Sequence, residues 1–321
     1  MDALGIDLGY GLCKWAHAAS RGSFASVWRP DGTGTEGWGM TGPAVLSVDG
    51  VPLVVGDAAA THPGAHRPFG DGRLADPETL PLLAAALWQA GVEAEVALGS
   101  GPPLGSFAAE KDAARAALEG RTLRLSDGAR ERTVCIAALV LRPQGVGAAL
   151  YLAARGLLPP SGGYAVVVDV GTRTTDVMAA SLRDLSPVFD LCCSFGLGAA
   201  TAANALARDV QRRTGHLPPF DVAADALREP QPWQGGAIGG PDEAAPHLDA
   251  LGAAIRREVQ RVFGDAAQQV AALAVVGGGA VLLGERLRGL LPGRVVALSD
   301  QERVQANATG FCWAAERAAR G

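Results

Sequence analysis

Apolar positions along the chain follow two patterns, short aliphatic runs bounded by turn residues and longer stretches with helical spacing. Residues 3–8 and 12–18 read as a hairpin closed by Gly9-Tyr10-Gly11. Residues 44–48 and 51–55, split by Asp49-Gly50, predict a second hairpin, because Asp-Gly suits a tight two-residue turn. Further strands fall at 95–98, 121–125 and 133–141. Helical spacing marks 76–91, opened by Asp76-Pro77-Glu78 and stopped at Gly91, then 106–118 and 146–155. In the second half, 166–177 reads as a buried Val-rich strand, a tight turn and a second strand. The pattern then predicts a strand at 187–194, a long helix after Phe195-Gly196-Leu197-Gly198 that ends near Gly215, and a loop-rich span over 216–245. A helix at 248–269, a strand at 273–276, a helix at 282–290, a strand at 295–298 and a helix at 306–320 follow. Residues 21–42 read as irregular or edge strand, and 61–76 as a surface loop. Strands mixed with crossing helices, twice over, predict an α/β chain of two similar halves.

Composition narrows this picture. At 321 residues the chain exceeds one typical domain, so two lobes are expected. Hydrophobic residues make up 48% but aromatics only 5%, so the cores must be aliphatic. A net charge of −5 gives no reason to expect direct, nonspecific nucleic-acid binding. Lysine occurs only at 14 and 111, which makes the lysine beside the first glycine turn more informative. The five cysteines, at 13, 135, 192, 193 and 312, form no Cys-x-x-Cys and read as buried thiols of a reducing cytoplasm. The uncharged run 191–207 is too short and too polar to span a bilayer, and Asp2 and Asp7 interrupt any leader-like opening, so no membrane partner is expected.

The chemistry concentrates in two turns. Gly171-Thr172-Arg173-Thr174-Thr175 offers backbone N–H groups and three hydroxyls to an anion, which suits a phosphate. The carboxylates at its edges, Asp169 and Asp176, would repel a bare phosphate and make sense with a hard cation such as Mg²⁺. Asp7 and Asp169 each end an apolar run, with Gly9 and Gly171 two residues later. Two such loops half a chain apart suggest two related domains closing on one nucleotide. The Gly-x4-Gly-Lys-Ser/Thr loop that runs into a helix is absent at the first turn. His62 and His66 read as surface-loop residues rather than a metal pair, since Pro63 and Gly64 prevent a helix and no third ligand lies near. Cys193-Ser194 has no evident histidine base, so no nucleophile is assigned there.

Four motifs in order, Asp7-x-Gly-Tyr-Gly-x-x-Lys14, Pro143-Gln-Gly-x-Gly147, Asp169-x-Gly-Thr-x-Thr-Thr-Asp176 and Val276-Gly-Gly-Gly-Ala280, resemble the actin-like ATPase superfamily. With Leu98-Gly-Ser-Gly-Pro-Pro103 and Ala306-Asn-Ala-Thr-Gly-Phe311, the chain looks most like the ParM/StbA plasmid-segregation branch and its archaeal actin-like relatives, over essentially its whole length. The resemblance implies two actin-like (ribonuclease H-like) domains, 1–158 and 159–305, with a nucleotide cleft between them and the helix 306–321 packing back on the first. It places Gly9, Tyr10, Gly11 and Lys14 on one phosphate loop and Gly171, Thr172, Arg173 and Thr174 on the other. Asp7 and Asp169 match the acids that hold Mg²⁺, largely through water, and Gly277, Gly278 and Gly279 match the adenosine-side turn. Gln144 stands where the family orients the attacking water, though some members carry Glu there. Arg173 replaces a small residue, and its charge either assists a γ-phosphate or points outward. The implied protein binds and hydrolyses ATP to ADP, joins head to tail into filaments and works with a DNA-binding adaptor. Other readings are a cell-shape filament, a nucleotide binder without turnover, or a small-molecule kinase. The last needs a carboxylate base where 143–145 supplies Gln144.

Overall fold

The computed structural model describes residues 1–31, 44–60, 62, 64–160 and 162–320. They divide into two compact units, Met1–Ala154 with Gln305–Gly321, and Arg155–Val304. The division falls a few residues before the expected 158, where the helix Val146–Ala154 ends. Beyond it, Leu157 accepts a hydrogen bond from Arg294 and Gly163 one from the Leu182 N–H, so this stretch is built into the second unit.

The first unit holds β1 (Asp2–Leu8), β2 (Leu12–His17), β3 (Ser20–Ala25), β4 (Trp28–Pro30), β5 (Leu46–Val48), β6 (Val51–Val55), β7 (Glu95–Ser100), β8 (Thr122–Ser126) and β9 (Glu131–Leu141). Among the described residues they form one sheet in the order β3-β2-β1-β7-β9-β8-β5-β6-β4. Asp49 and Gly50 turn the β5–β6 hairpin at φ 52° and 87°, the positive-φ pair that a tight hairpin needs. Residues 21–31 of the stretch expected to be irregular lie in or beside β3 and β4; 32–43, like Pro63, lie outside the described residues.

Side chains alternate along β1 as a strand requires. Leu4, Ile6 and Leu8 join Leu82, Leu83, Leu87, Leu98 and Ile136 in one aliphatic core. Gly5 lies on the opposite face, in register with Gly99 of β7. A Cβ on Gly5 would run into the backbone of Ala308 and Cys312, and one on Gly99 into the backbone of Phe311. The helix Asp300–Arg320, whose residues from Gln305 onward belong to this unit, therefore rests directly on strand backbone. It meets the helix Val146–Ala154 just as closely, glycine to glycine, at Gly147 and Gly310.

The second unit holds β10 (Tyr164–Val170), β11 (Thr175–Ser181), β12 (Cys193–Phe195), β13 (Pro230–Trp233), β14 (Gly236–Gly239), β15 (Val270–Val276) and β16 (Arg294–Val295). Its main sheet runs β12-β11-β10-β15-β16. The helices Ala199–Thr214 and Pro241–Phe263 bury their apolar faces with Val166, Val168, Val170, Val177 and Ala179. Two antiparallel steps followed by two parallel ones make this sheet a repeat of β3-β2-β1-β7-β9.

Several expected elements are redrawn here. The strand at 187–194 shrinks to Cys193–Phe195, since Pro187 has no N–H for a ladder and Phe189–Leu191 coils into a 3₁₀ turn. The loop-rich span contains the helix Phe220–Asp225 and a hairpin turning at Gln234-Gly235, φ 51° and 78°. The helix expected at 248–269 starts seven residues early, at Pro241, because proline suits a first turn. It ends at Phe263 before a 3₁₀ stretch, Gly264–Gln269. The helix expected at 282–290 is a single turn, Ala280–Leu283. Among the described residues, no helix is long and apolar enough to cross a membrane.

Candidate functional site

The first glycine turn is set by the register of its hairpin. Asp7 near the end of β1 lies directly opposite Lys14 of β2, and paired positions on an antiparallel ladder bring side chains together on one face. Lys14 Nζ sits 2.9 Å from Asp7 Oδ2, and both residues are buried. The other carboxylate oxygen, Oδ1, accepts from Gln144 Nε2 at 3.3 Å. Asp7, Lys14 and Gln144, distant in sequence, therefore meet around one carboxylate. Gly9 is forced by the same arrangement: a Cβ there would meet the Leu12 carbonyl and the Lys14 ammonium.

Gln144 is placed by three further elements. Its backbone N–H donates to the Pro102 carbonyl beyond β7 at 3.0 Å, and Ser100 at the end of that strand donates to the Ile6 carbonyl of β1 at 2.7 Å. Asn307, buried on the C-terminal helix, accepts from the N–H groups of Gly145 and Ala148 at 3.1 and 3.0 Å. It thus caps the helix Val146–Ala154 from a remote part of the chain, answering donors that have no partner within a first turn.

Two residues that sequence reasoning passed over hold the turn from outside. Arg73, in the stretch expected to be surface loop, is only 5% exposed, and Leu74 beside it is buried too. Its Nε donates to the Leu8 carbonyl at 2.8 Å, its Nη2 to the Gly9 carbonyl at 3.1 Å and its Nη1 to the Pro68 carbonyl. The guanidinium lies 4.6 Å from the centre of the Tyr10 ring, which stacks on Phe69 at 6.2 Å. Burial pulls the Arg73 pKa below its ordinary value, opposed by Tyr10, Cys13, Asp7 and Asp76 nearby. Ser26 donates from Oγ to the Gly9 carbonyl at 2.5 Å and from its N–H to the Gly11 carbonyl at 3.0 Å. Cys13, on β2 just past the turn, is fully enclosed, and burial pushes its thiol pKa far up. His66 stacks on Trp28 at 4.4 Å, and His62 Nδ1 accepts from the Gly64 N–H at 3.0 Å. Among the described residues, no group of three His, Cys, Asp or Glu side chains is arranged to hold a metal ion.

The second turn repeats the geometry with the opposite charge. Asp169 of β10 lies opposite Asp176 of β11, the register position that Lys14 occupies opposite Asp7. Both acids are buried. Gly171 N–H closes the turn on the Thr174 carbonyl at 2.8 Å. The loop then seats on the start of the helix Ala199–Thr214, whose Ala199 and Ala200 N–H groups donate to the Gly171 and Thr172 carbonyls at 3.0 and 2.8 Å. Thr175 Oγ1 donates to the Leu197 carbonyl at 2.5 Å, Thr172 and Thr174 are half-buried, and Arg173 is exposed.

The glycine run after β15 packs on this second turn. Gly277 has φ 90°, and a Cβ on it would strike the Asp169 carboxylate and the Val170 carbonyl. Gly279 donates to the Val170 carbonyl at 2.8 Å and leaves no room for a Cβ beside Val170. Two of the three glycines are thus required by the chain itself. Gly278 is different, with open space around it and no positive φ.

Residues 5–147 match the family of actin like proteins, N terminal domain, and residues 167–289 the archaeal actin homologue MreB-like, C-terminal family. The chain is 39% identical to an archaeal actin homolog of Thermoplasma acidophilum over 99% of both chains. The crystal structure of Ta0583, an archaeal actin homolog, superposes with a TM-score of 0.89 at 40% identity, over 99% of this chain and 100% of its own. The complex of Ta0583 with ADP gives 0.87 at 38% identity with the same coverage. A subunit of a 15-stranded ParM filament from Clostridium botulinum shares the fold, with a TM-score of 0.84 at 20% identity over 98% of this chain and 99% of its own.

Proposed function

The chain belongs to the archaeal actin homologues, and on that premise we propose that it binds and hydrolyses ATP and assembles head to tail into filaments. One observation carries the reading, the doubled turn. In each unit a buried strand delivers an aspartate, a glycine follows two residues on, and the returning strand sets a charged side chain opposite that aspartate. The ADP complex of Ta0583 and the filament of the Clostridium ParM support nucleotide and polymer respectively. Gly9, Tyr10, Gly11 and Lys14 form one phosphate loop, and Gly171, Thr172, Arg173 and Thr174 form another. Gly277, Gly278 and Gly279 form the adenosine-side turn.

The donor chemistry fits Mg²⁺: Asp7 and Asp169 are buried hard oxygen donors, the kind this ion takes while keeping several waters. When bound, the ion supplies positive charge to the phosphate oxygens. Gln144, steadied by its bond to Asp7, orients the attacking water and contributes to the transition state rather than to ground-state binding. Subunits join through a heterologous contact that does not close, which gives filaments rather than rings. Five thiols with no disulfide support a reducing, cytoplasmic setting. The role is segregation of plasmid or other DNA through a DNA-binding adaptor, and a small basic DNA-binding protein encoded beside this chain would support it. Calorimetry with ADP, and sedimentation and light scattering with and without Mg-ATP, test the core of the reading. Nucleotide-dependent polymer is expected. A chain that stays monomeric at high concentration with Mg-ATP overturns the filament.

A further inference from the structure

We propose that Arg73 and Ser26 are positioning residues that grip the carbonyl edge of the first glycine turn and so aim its amide edge at phosphate. The inference rests on the nucleotide reading above. Three carbonyls of the turn are held by these two residues. The Leu8 carbonyl accepts from Arg73 Nε, the Gly9 carbonyl from both Arg73 Nη2 and Ser26 Oγ, and the Gly11 carbonyl from the Ser26 N–H. A trans peptide is planar with its C=O and N–H pointing in opposite directions. Fixing the Leu8 and Gly9 carbonyls toward Arg73 therefore turns the Gly9 and Tyr10 N–H groups to the other side. That withdraws two negative dipole ends from an arriving anion and presents two positive ones, the arrangement of an anion-binding concavity.

The choice of arginine follows from the same geometry. A guanidinium holds several donors in one rigid plane and can serve neighbouring carbonyls at once, whereas an ammonium acts as a point charge. Contact with the Tyr10 ring adds a third hold on the same turn. Arg73 is 5% exposed and Ser26 2% exposed, so neither is a solvent-facing polar residue. Both act through the turn that they hold.

The test uses the full chain and measures ADP by calorimetry and adenosine by competition, for wild type, Arg73→Lys and Ser26→Ala. Melting of the nucleotide-free protein is followed alongside. Arg73→Lys is expected to weaken ADP about tenfold or more, the scale of one lost hydrogen bond to a charged group. Ser26→Ala, which removes only a hydroxyl, is expected to weaken ADP about threefold with nucleotide-free melting unchanged. Adenosine, having no phosphate, should bind all three proteins alike, a pattern that a purely structural role would not produce. Should Arg73→Lys fail to fold, Ser26→Ala decides alone. Wild-type ADP affinity in Ser26→Ala, or equal losses for ADP and adenosine, overturns the inference. Absence of ADP binding by the wild type would instead overturn the nucleotide reading on which it stands.

Discussion

The Asp7 carboxylate accepts from Lys14 on one oxygen and from Gln144 on the other, so a change at Asp7 disturbs both partners at once. Lys14→Ala should lower ATP affinity by roughly 1–3 kcal/mol, the range for a hydrogen bond to a charged group. It should also destabilise the nucleotide-free protein by about 3–5 kcal/mol, because Asp7 stays buried after losing its ammonium. Adding Asp7→Asn to Lys14→Met should restore the urea midpoint while leaving affinity low, the coupling a double-mutant cycle isolates. Unaltered ATP binding in Lys14→Ala would show that the first turn does not meet phosphate. At this scale the glycines and strand-end acids were legible, because a turn after an apolar run limits which residues can stand there. The hairpin register brings Asp7 to Lys14, but nothing local joins them to Gln144, 137 residues away. Arg73 was unreadable for a related reason: one arginine in a Pro- and Gly-rich stretch looks like solvated charge until the fold encloses it.

At the scale of elements, glycines tell two stories that look identical in sequence. Gly5, Gly99, Gly147 and Gly310 are small because backbones approach there, and Gly277 and Gly279 because the second turn lies against them. Gly278 has space. Gly277→Ala should therefore cost stability, by about 1–3 kcal/mol for overpacking with further strain from its φ of 90°. Gly278→Ala should leave the urea midpoint within about 0.5 kcal/mol of wild type, as surface changes usually do. If the adenosine lies on this turn, Gly278→Ala will nevertheless weaken ADP, read by calorimetry; undiminished affinity would remove the glycine run from the site. Long, strongly patterned elements such as β10, β11 and the helix Ala199–Thr214 were legible from their runs and stops. The helix Pro241–Phe263 was not: its start lies among Pro and Gly residues that read as loop until the favourable place of proline in a first turn is seen.

For the whole molecule, the α/β class and the actin-like fold were legible because four motifs, at Asp7–Lys14, Pro143–Gly147, Asp169–Asp176 and Val276–Ala280, stand in the family's order along the chain. On the proposed function, Gln144 is the residue at which turnover and assembly can be told apart. Losing the Gln144 amide should slow hydrolysis by about ten- to a thousandfold with ATP affinity nearly unchanged, the scale of positioning and acid–base contributions. If ATP favours filaments and hydrolysis loosens them, Gln144→Ala will assemble at least as well as wild type and disassemble more slowly, by light scattering. Polymer that exchanges at the normal rate despite slowed phosphate release would break that link.

The resting of the C-terminal helix on Gly5 and Gly99 also bears on how the chain is made. Arg155–Val304 is one uninterrupted stretch, whereas the other unit needs residues from Gln305 onward laid over its first strand. Domains usually mature in the order in which the ribosome delivers them. Here that order inverts: the unit begun first is finished second, and the backbone of β1 waits uncovered while some three hundred residues are added. Contacts of such long sequence separation slow folding. In a stalled-ribosome series, protection of β1 should therefore arrive only after the helix has emerged, later than that of β10.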